Sequence, residues 1–369
     1  MNIHLWLNCL QQKLFPALES ELGTLSPKET EFVRIVEFCE LHTLMASYQW
    51  KGNGRKPLSR LAMAKAFVAK MVWNLPTTED LISFLQVAPN LRRLCGWESQ
   101  NDIPDRATFS RAFEQFAIGQ LPQIAQSQLI KTHLGDRIIG HISIDATAIS
   151  ARESVAKKAP PTDPIQSKST KKTRGRPRKD EVRPPAPEKR LDLQLSRSLE
   201  ENIADLPSFC DKGCKRNSQG YKETWNGYKF HIASSDFDIP ICSILSTASL
   251  HDSQAAIPLM QKCKTLIKNS LYDLCDAAYD APQIHEFSRS LGHVPIIDPN
   301  PRRSSTPRTL ARHEKSRFKE RSSVERVNSN LKDNWGGRFV RVRGASKVAC
   351  HLFFGMLALT ADRLISILP

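Results

Sequence analysis

Three acidic residues of this chain are spaced so that a fold could bring them together around divalent cations. Asp145 ends the apolar run Ile-Ser-Ile-Asp, Asp276 follows Leu-Tyr-Asp-Leu-Cys, and Glu325 lies within Arg-Ser-Ser-Val-Glu-Arg-Val-Asn. The two aspartates are expected at the ends of buried strands and the glutamate on a helix, which is how folds collect carboxylates from distant sequence. Hard cations such as Mg²⁺ prefer oxygen ligands, so the pattern indicates metal-assisted phosphoryl chemistry.

The helix that carries Glu325 is expected to present its charged residues on one face. Spacings of three, four and seven residues place four side chains within a band of roughly 60° at 3.6 residues per turn: Phe318, Arg321, Glu325 and Lys332. An apolar stripe lies roughly 100° or more away and is expected to pack on a sheet: Val324, Val327 and Leu331. A surface helix with an i,i+4 ion pair is the alternative for this segment alone. Taken together with the two aspartates, the helix is better explained as part of a metal site than as a surface helix.

The elements that must position these residues change in type along the chain. Apolar residues recur at helical spacing up to about residue 135, with Asp105 expected to cap one of the helices. From about residue 138 the order becomes strand, strand, strand, helix, strand, helix, strand, helix, and one long last helix is expected at about residues 315–334. This is the element order of ribonuclease H-like folds. We therefore predict an α/β fold with a mixed five-stranded sheet flanked by helices, preceded by a small all-helical domain.

The predicted domains are a helical region at residues 1–135, a catalytic region at 136–345 and an apolar helix at 346–369 that packs on the core. A basic, proline-rich insertion at 151–200 contains no aromatic residue, so it is expected to remain disordered. Within it, Arg174 and Arg176 belong to an Arg-Gly-Arg-Pro segment that could follow an A·T-rich minor groove. A solvated run of charge explains the same segment equally well.

The charge balance favours a polyanionic partner. Fifty-three Lys and Arg against 38 Asp and Glu give a formal charge of +15 in 369 residues, which favours nucleic acid through counterion release. A membrane surface is the competing partner, but the apolar stretch from Cys350 to Ala361 is too short to span a bilayer and the amino terminus lacks a signal sequence. The nine cysteines are scattered and odd in number, so a secreted disulfide framework is not expected. These features predict a cytoplasmic, nucleoid-associated protein with no membrane partner.

The residues around the three carboxylates resemble the DDE transposases of bacterial insertion sequences. That family marks its catalytic glutamate with Tyr, two residues, Arg, three residues, Glu, six residues, Lys, and this chain has the same spacing with Phe318 in place of the tyrosine. The substitution removes a hydroxyl but no metal ligand. Further blocks also look like those of the family and follow its order: Ser143–Thr147, Gly227–Lys229, Leu250–Ser253 and Asp276–Asp280.

The resemblance implies a transposase that binds the terminal inverted repeats of its element, cleaves double-stranded DNA and joins the ends to a target. It also implies two Mg²⁺ ions, replaceable by Mn²⁺, on Asp145, Asp276 and Glu325. Arg321 and Lys332 are then expected to hold DNA phosphates, with Lys229 a weaker candidate. Synapsis of two ends makes a homodimer in the DNA complex the expectation.

Two other functions stay open from the sequence. One is a metal-dependent nuclease of the same fold that cuts DNA without joining it, and the other is an inactive DNA-binding relic. Asp280 could also be taken for the second metal ligand in place of Asp276, but Pro282 just beyond it favours a role at the start of the next helix.

Overall fold

The computed structural model of the chain describes residues 6, 9–50, 52–54, 56–156, 188–216, 219–300 and 309–367. Up to residue 135, the described chain is helical. Its α-helices in this part are Phe15–Leu22 (α1), Pro27–Phe38 (α2), Arg60–Val72 (α3), Thr78–Val87 (α4), Pro89–Cys95 (α5), Arg106–Ile118 (α6) and Leu121–Leu134 (α7).

Side-chain caps start several of these helices. The Thr77 hydroxyl accepts a hydrogen bond from Asp80 N at the start of α4, and the Asp80 carboxylate accepts one from Thr77 N, both at 3.0 Å. At α6 the Asp105 carboxylate accepts a hydrogen bond from Thr108 N at 2.7 Å, as predicted. These bonds satisfy N–H groups that the first helical turn leaves without intrahelical partners.

The rest of the described chain builds a mixed sheet with helices around it. Its strands are Ile138–Ser150 (β1), Asp211–Arg216 (β2), Lys222–Ser235 (β3), Pro240–Thr247 (β4), Asn269–Cys275 (β5) and Val294–Ile297 (β6). Its helices are Arg190–Gln194 (α8), Leu199–Asp205 (α9), Ser253–Leu266 (α10), Pro282–Ser290 (α11), Arg312–Phe318 (α12), Ser322–Asn334 (α13) and Ala345–Ile367 (α14).

The sheet has six strands, so the prediction of five was wrong. β3 and β1 are antiparallel neighbours, and β1, β5 and β6 follow as parallel neighbours. β3 is long enough for its first half to pair with β2 and its second half with β4 on the same side. The sequence of β2, Asp-Lys-Gly-Cys-Lys-Arg, has no apolar alternation that would mark it as a strand.

The insertion predicted to be disordered at residues 151–200 is ordered at its carboxyl end. Helix α8 and the start of α9 lie within that range, where Asn202 Nδ2 donates to Gln194 O at 3.0 Å and Gln194 Nε2 donates to Gln254 O at 2.8 Å. The buried amides of Gln194 and Asn202 bond to α10, and Leu191 and Leu195 pack against the main core, so a few residues dock a segment whose overall composition predicted disorder. Arg174 and Arg176 lie outside the described residues.

Helix α14 joins the helical region to the sheet through one continuous core. The Phe354 ring lies 5.6 Å from that of Phe67 on α3, and the Phe353 ring lies 5.5 Å from that of Phe230 on β3. The helix has 23 residues and is long and apolar enough to cross a membrane. The prediction that its apolar stretch is too short to span a bilayer was therefore wrong. Of its most apolar window 78% is buried inside the protein, and this packing accounts for its composition.

Candidate active site

Two of the predicted carboxylates lie on neighbouring strands. Ile144 of β1 pairs with Cys275 at the end of parallel β5, so the next residues, Asp145 and Asp276, come level at one edge of the β1 and β5 pair. Asp276 follows its strand directly, as predicted. Asp145 lies within β1 and not at its end, because pairing with β3 continues β1 to Ser150.

Burial controls the protonation of both aspartates. It raises the pKa of Asp145 to about 6, and the neighbouring carboxylates of Asp276 and Asp252 act in the same direction. Burial also raises the pKa of Asp276, again with a contribution from Asp252. Carboxylates in such surroundings are stabilised by a proton or by a cation. The Asp276 carboxylate also accepts a hydrogen bond from Ala278 N at 2.9 Å, which orients it.

Helix α13 contacts Asp145 through an asparagine that the sequence reasoning missed. Asn328 Nδ2 donates to Asp145 Oδ2 at 3.0 Å, and Asn328 is buried. The predicted apolar stripe of α13 is also buried, and it fixes which side of the helix faces the sheet: Val324, Val327 and Leu331. Asn328 is three residues after Glu325 and lies between that stripe and the charged band. This position on the helix was the sequence feature from which Asn328 could have been predicted as a site residue.

Glu325 lies one turn from Asn328 but is directed towards solvent and an arginine. Its carboxylate forms an ion pair with Arg321, and 54% of its side chain is exposed. Arg321 is mostly buried, and its positive charge opposes the rise in the pKa of both Asp145 and Asp276. The described residues contain no group of three or more His, Cys, Asp or Glu side chains placed to hold a metal ion. The structure thus brings Asp145 and Asp276 together with Arg321, and Arg321 with Glu325.

The predicted long helix at residues 315–334 is interrupted, and that prediction was wrong. Helix α12 ends at Phe318, a 3₁₀ turn occupies Lys319–Arg321, and α13 begins at Ser322. Phe318 packs on a small apolar cluster around Leu274, whereas Val324 packs in the main core. On a continuous α-helix these two side chains would lie roughly 120° apart, and the tighter turn adjusts their directions.

The two predicted lysines differ in their surroundings. Lys229 Nζ donates to Leu250 O at 2.7 Å and to Asp252 Oδ1 at 2.8 Å, so this cation has partners within the protein. Asp252 is the N-cap residue of α10 but makes no side-chain cap bond there, and its carboxylate binds Lys229 instead. Burial lowers the pKa of Lys332, the positive charges of Lys215 and Arg338 act in the same direction, and the carboxylates of Asp333 and Asp145 oppose it.

Asp280 has structural partners. Its carboxylate accepts hydrogen bonds from His285 Nε2 at 3.0 Å and from Asn300 N at 2.9 Å. It thereby ties the start of α11 to the segment after β6. These contacts account for Asp280 without a role at the site, although Ala281 and not Asp280 is the N-cap residue of α11.

The carboxyl end of α13 is held by the helical region. Asn74, two residues after the end of α3, donates through Nδ2 to Asp333 O at 2.7 Å and accepts from Gly336 N at 3.0 Å. His351 Nε2 of α14 donates to Gly336 O at 2.9 Å. Gly336 has φ +79°, and a Cβ there would lie 2.7 Å from Met71 Sδ, so this junction favours glycine. The helix that carries Glu325 is therefore fixed at its centre by Asp145 and at its end by α3 and α14.

Comparison with protein families agrees with this arrangement. The family model described as Transposase DDE domain matches residues 137–361, which include β1, β5 and α13. A second model, described as Transposase domain (DUF772), matches residues 20–115 in the helical region. No curated protein and no solved structure matches the chain. The DDE match implies the ribonuclease H-like fold, and the mixed sheet flanked by helices is in keeping with it. Since this match covers more than half of its length, the chain belongs to the transposase DDE domain family.

Proposed function

We propose that this protein binds the terminal inverted repeats of an insertion sequence, cleaves the DNA at those ends and joins them to a target. The observation that carries the proposal is the level placement of Asp145 and Asp276 on parallel neighbouring strands, with α13 bonded to Asp145 through Asn328. Two partly buried carboxylates level with each other on β1 and just after β5, reached by a helix that bears a third, suit a site for phosphodiester chemistry. Family membership supports an enzyme that acts on DNA.

The donor atoms at this site fit Mg²⁺. Asp145 and Asp276 offer carboxylate oxygens, and the buried Asn328 Oδ1 beside them has no hydrogen-bond partner in the structure. Hard oxygen donors of this kind are the ligands that Mg²⁺ prefers, and Mn²⁺ accepts the same set. When bound, two such ions supply activation of the attacking hydroxyl and stabilisation of the leaving oxygen. We propose that Asp145, Asp276 and Glu325 hold them.

Glu325 must exchange partners to join the two aspartates. Its side chain is 54% exposed although Arg321 is mostly buried, so the carboxylate can leave this ion pair by a change of rotamer while the guanidinium stays in place. Release of Glu325 also leaves the Arg321 guanidinium available to a DNA phosphate, to which it can bind in a bidentate manner. The two events are compatible because the DNA phosphate replaces the carboxylate as the anionic partner of Arg321.

Other basic residues are proposed to hold DNA outside the carboxylates. Lys332 lies on the same face of α13 as Glu325, and we propose that it reaches a phosphate near Asp145. Lys229 serves this role only by leaving Asp252, so we expect it to orient Asp252 in the absence of DNA. Arg174 and Arg176 are proposed to contact the minor groove, and residues 1–135 to recognise the transposon ends.

The proposed substrate is double-stranded DNA, at both the transposon ends and the target, and the proposed assembly is a homodimer that pairs two ends. With these partners, the proposed location is the cytoplasm, in association with the nucleoid. The net charge of +15 agrees with binding driven by release of counterions, so we expect binding to weaken steeply as salt is raised.

Labelled DNA that carries the element's own ends tests the proposal. Cleavage and joining are measured in Mg²⁺ for the intact protein, Asp145→Asn and Asp276→Asn, with DNA binding measured in parallel. Asp136→Asn is the matched control, because Asp136 is highly exposed and precedes the same strand. We expect both site variants to bind DNA and lose both reactions, while the control keeps them. Products that survive either site change would remove that residue from the site.

One observation favours the inactive relic as a second candidate. Glu325 is turned away from the two aspartates towards Arg321, as expected if the third carboxylate no longer served the site. DNA binding without any cleavage by the intact protein in Mg²⁺ or Mn²⁺ would support this candidate. Cleavage without joining would support the nuclease.

A further inference from the structure

Asn328 is a buried amide whose two polar atoms have different surroundings. Nδ2 donates to Asp145 Oδ2 at 3.0 Å, whereas Oδ1 is buried and has no hydrogen-bond partner. The ionised carboxylate of Asp145 only accepts hydrogen bonds, so the amide must direct Nδ2 towards it. Buried amide oxygens normally have a partner, and an orphaned one needs an explanation.

The explanation we favour comes from the distance between the two atoms of the amide. Its nitrogen and oxygen are about 2.2 Å apart, so Oδ1 lies within about 5 Å of Asp145 Oδ2. At that distance the hydration shell of a cation held by Asp145 would satisfy Oδ1. Val324, Val327 and Leu331 line the apolar stripe next to Asn328, and none of them offers a polar atom of the side chain.

We propose that Asn328 is a positioning residue for the metal site, which orients Asp145 through Nδ2 and completes the surroundings of the cation through Oδ1. This inference rests on the proposed function, because it requires that Asp145 binds a metal ion. It adds a role that the three carboxylates do not fill. Asn328 is on the same helix as Glu325 and three residues from it, so its bond to Asp145 also sets how closely Glu325 approaches the aspartates.

The rest of the site agrees with a positioning role. Asp276 is oriented by a hydrogen bond from Ala278 N, and Asp145 by the Ala146 backbone together with Asn328, its side-chain donor on α13. Residues that orient metal ligands affect metal affinity by about 10-fold to 100-fold when they are changed. A purely structural asparagine would alter stability but not the affinity for a cation.

The test measures Mn²⁺ binding to the full chain by titration calorimetry, without DNA and near neutral pH. We expect Asn328→Leu to fold and to bind Mn²⁺ about 10-fold to 100-fold more weakly than the intact protein. Asn330→Leu is the matched control, since Asn330 is on the same helix and bonds to Asn334 rather than to the site. Asn330→Leu should bind Mn²⁺ like the intact protein. Equal affinity of the two leucine variants would overturn the inference.

A second variant keeps the test decisive if Asn328→Leu does not fold. Asn328→Asp places an additional carboxylate beside Asp145, so it is destabilised without metal by repulsion and gains a cation ligand. We expect Mn²⁺ to raise its melting temperature by more than that of the intact protein. An equal or smaller rise would contradict the role of Asn328.

A third variant separates failure of this inference from failure of the proposed function. Asp145→Asn should abolish Mn²⁺ binding if the metal site is real. If Asp145→Asn reduces Mn²⁺ binding but Asn328→Leu does not, only the inference about Asn328 is wrong. Unchanged binding in Asp145→Asn, or no binding by the intact protein, would refute the proposed metal site and the inference together.

Discussion

Lys70 is a buried cation at the junction that holds the end of α13. It lies on α3 with 4% of its surface exposed, and its Nζ is 3.4 Å from His351 Nδ1. Burial lowers the pKa of Lys70 to about 8, and it lowers the pKa of His351 to about 3, so the histidine is neutral near pH 7. The Lys70→Met substitution removes the charge and keeps an unbranched, flexible side chain.

The size of the expected change in unfolding free energy follows from the difference between the pKa of Lys70 in the folded state and its pKa in the unfolded state. The unfolded residue keeps its proton up to a pKa of 10.5, whereas the folded residue loses it at a pKa of about 8. Between these values the unfolded state binds more protons, so Lys70 makes the unfolding free energy rise with pH. At 1.36 kcal/mol per pKa unit the full rise is about 3 kcal/mol, and below pH 8 this amount is the penalty for burying the charge.

Urea denaturation of both proteins measures this penalty at pH values from about 7 to about 10. The lost bond to His351 costs about 1 kcal/mol at every pH, so we expect Lys70→Met to be about 2 kcal/mol more stable at neutral pH. The difference in unfolding free energy should shrink and then reverse as the pH rises towards 10. A difference that stays constant with pH would refute the reasoning, because it would mean that folding does not alter the proton affinity of Lys70.

Three further substitutions, at two positions, test how the end of α13 is held. Asn74→Ala removes the hydrogen bonds to Asp333 O and Gly336 N, so we expect a loss of about 1–3 kcal/mol of unfolding free energy in urea titrations. Asn74→Gly loses the same bonds but accepts the positive φ at this position, so it should be less destabilised than Asn74→Ala. Gly355→Ala places a Cβ 2.3 Å from Trp335 O, and we expect about 1–3 kcal/mol of destabilisation and a lower melting temperature. Full stability of either alanine variant would contradict the close contacts described for this junction.

Local patterns predicted those parts of the site that depend on neighbouring residues in sequence. Asp276 follows β5 as expected, because a short apolar run ended by a polar residue indicates the end of a buried strand. The apolar stripe of α13 was also predicted correctly, since periodicity alone defines it. The end of that helix agrees with the prediction too, because glycines at positions 336 and 337 cannot favour its continuation.

Local sequence patterns could not predict the contacts between segments that are distant in sequence. Asp145 lies within a longer strand because β3, about 80 residues later, continues to pair with β1. The break before α13 depends on where Phe318 finds an apolar cluster, and helical spacing carries no information about that. Asn328 was missed because a single amide on a helix becomes informative only when its partner, Asp145, is known.

The central claim is that Glu325 acts with Asp145 and Asp276, although the structure pairs it with Arg321. The most direct measurement is joining of a pre-cleaved transposon end to target DNA in Mg²⁺ by Glu325→Gln. Glu320→Gln is the matched control, since Glu320 is exposed in the 3₁₀ turn before α13. We predict that Glu325→Gln binds the DNA end but loses joining by at least about 100-fold, while Glu320→Gln keeps it. Joining by Glu325→Gln at the rate of the control would contradict the account.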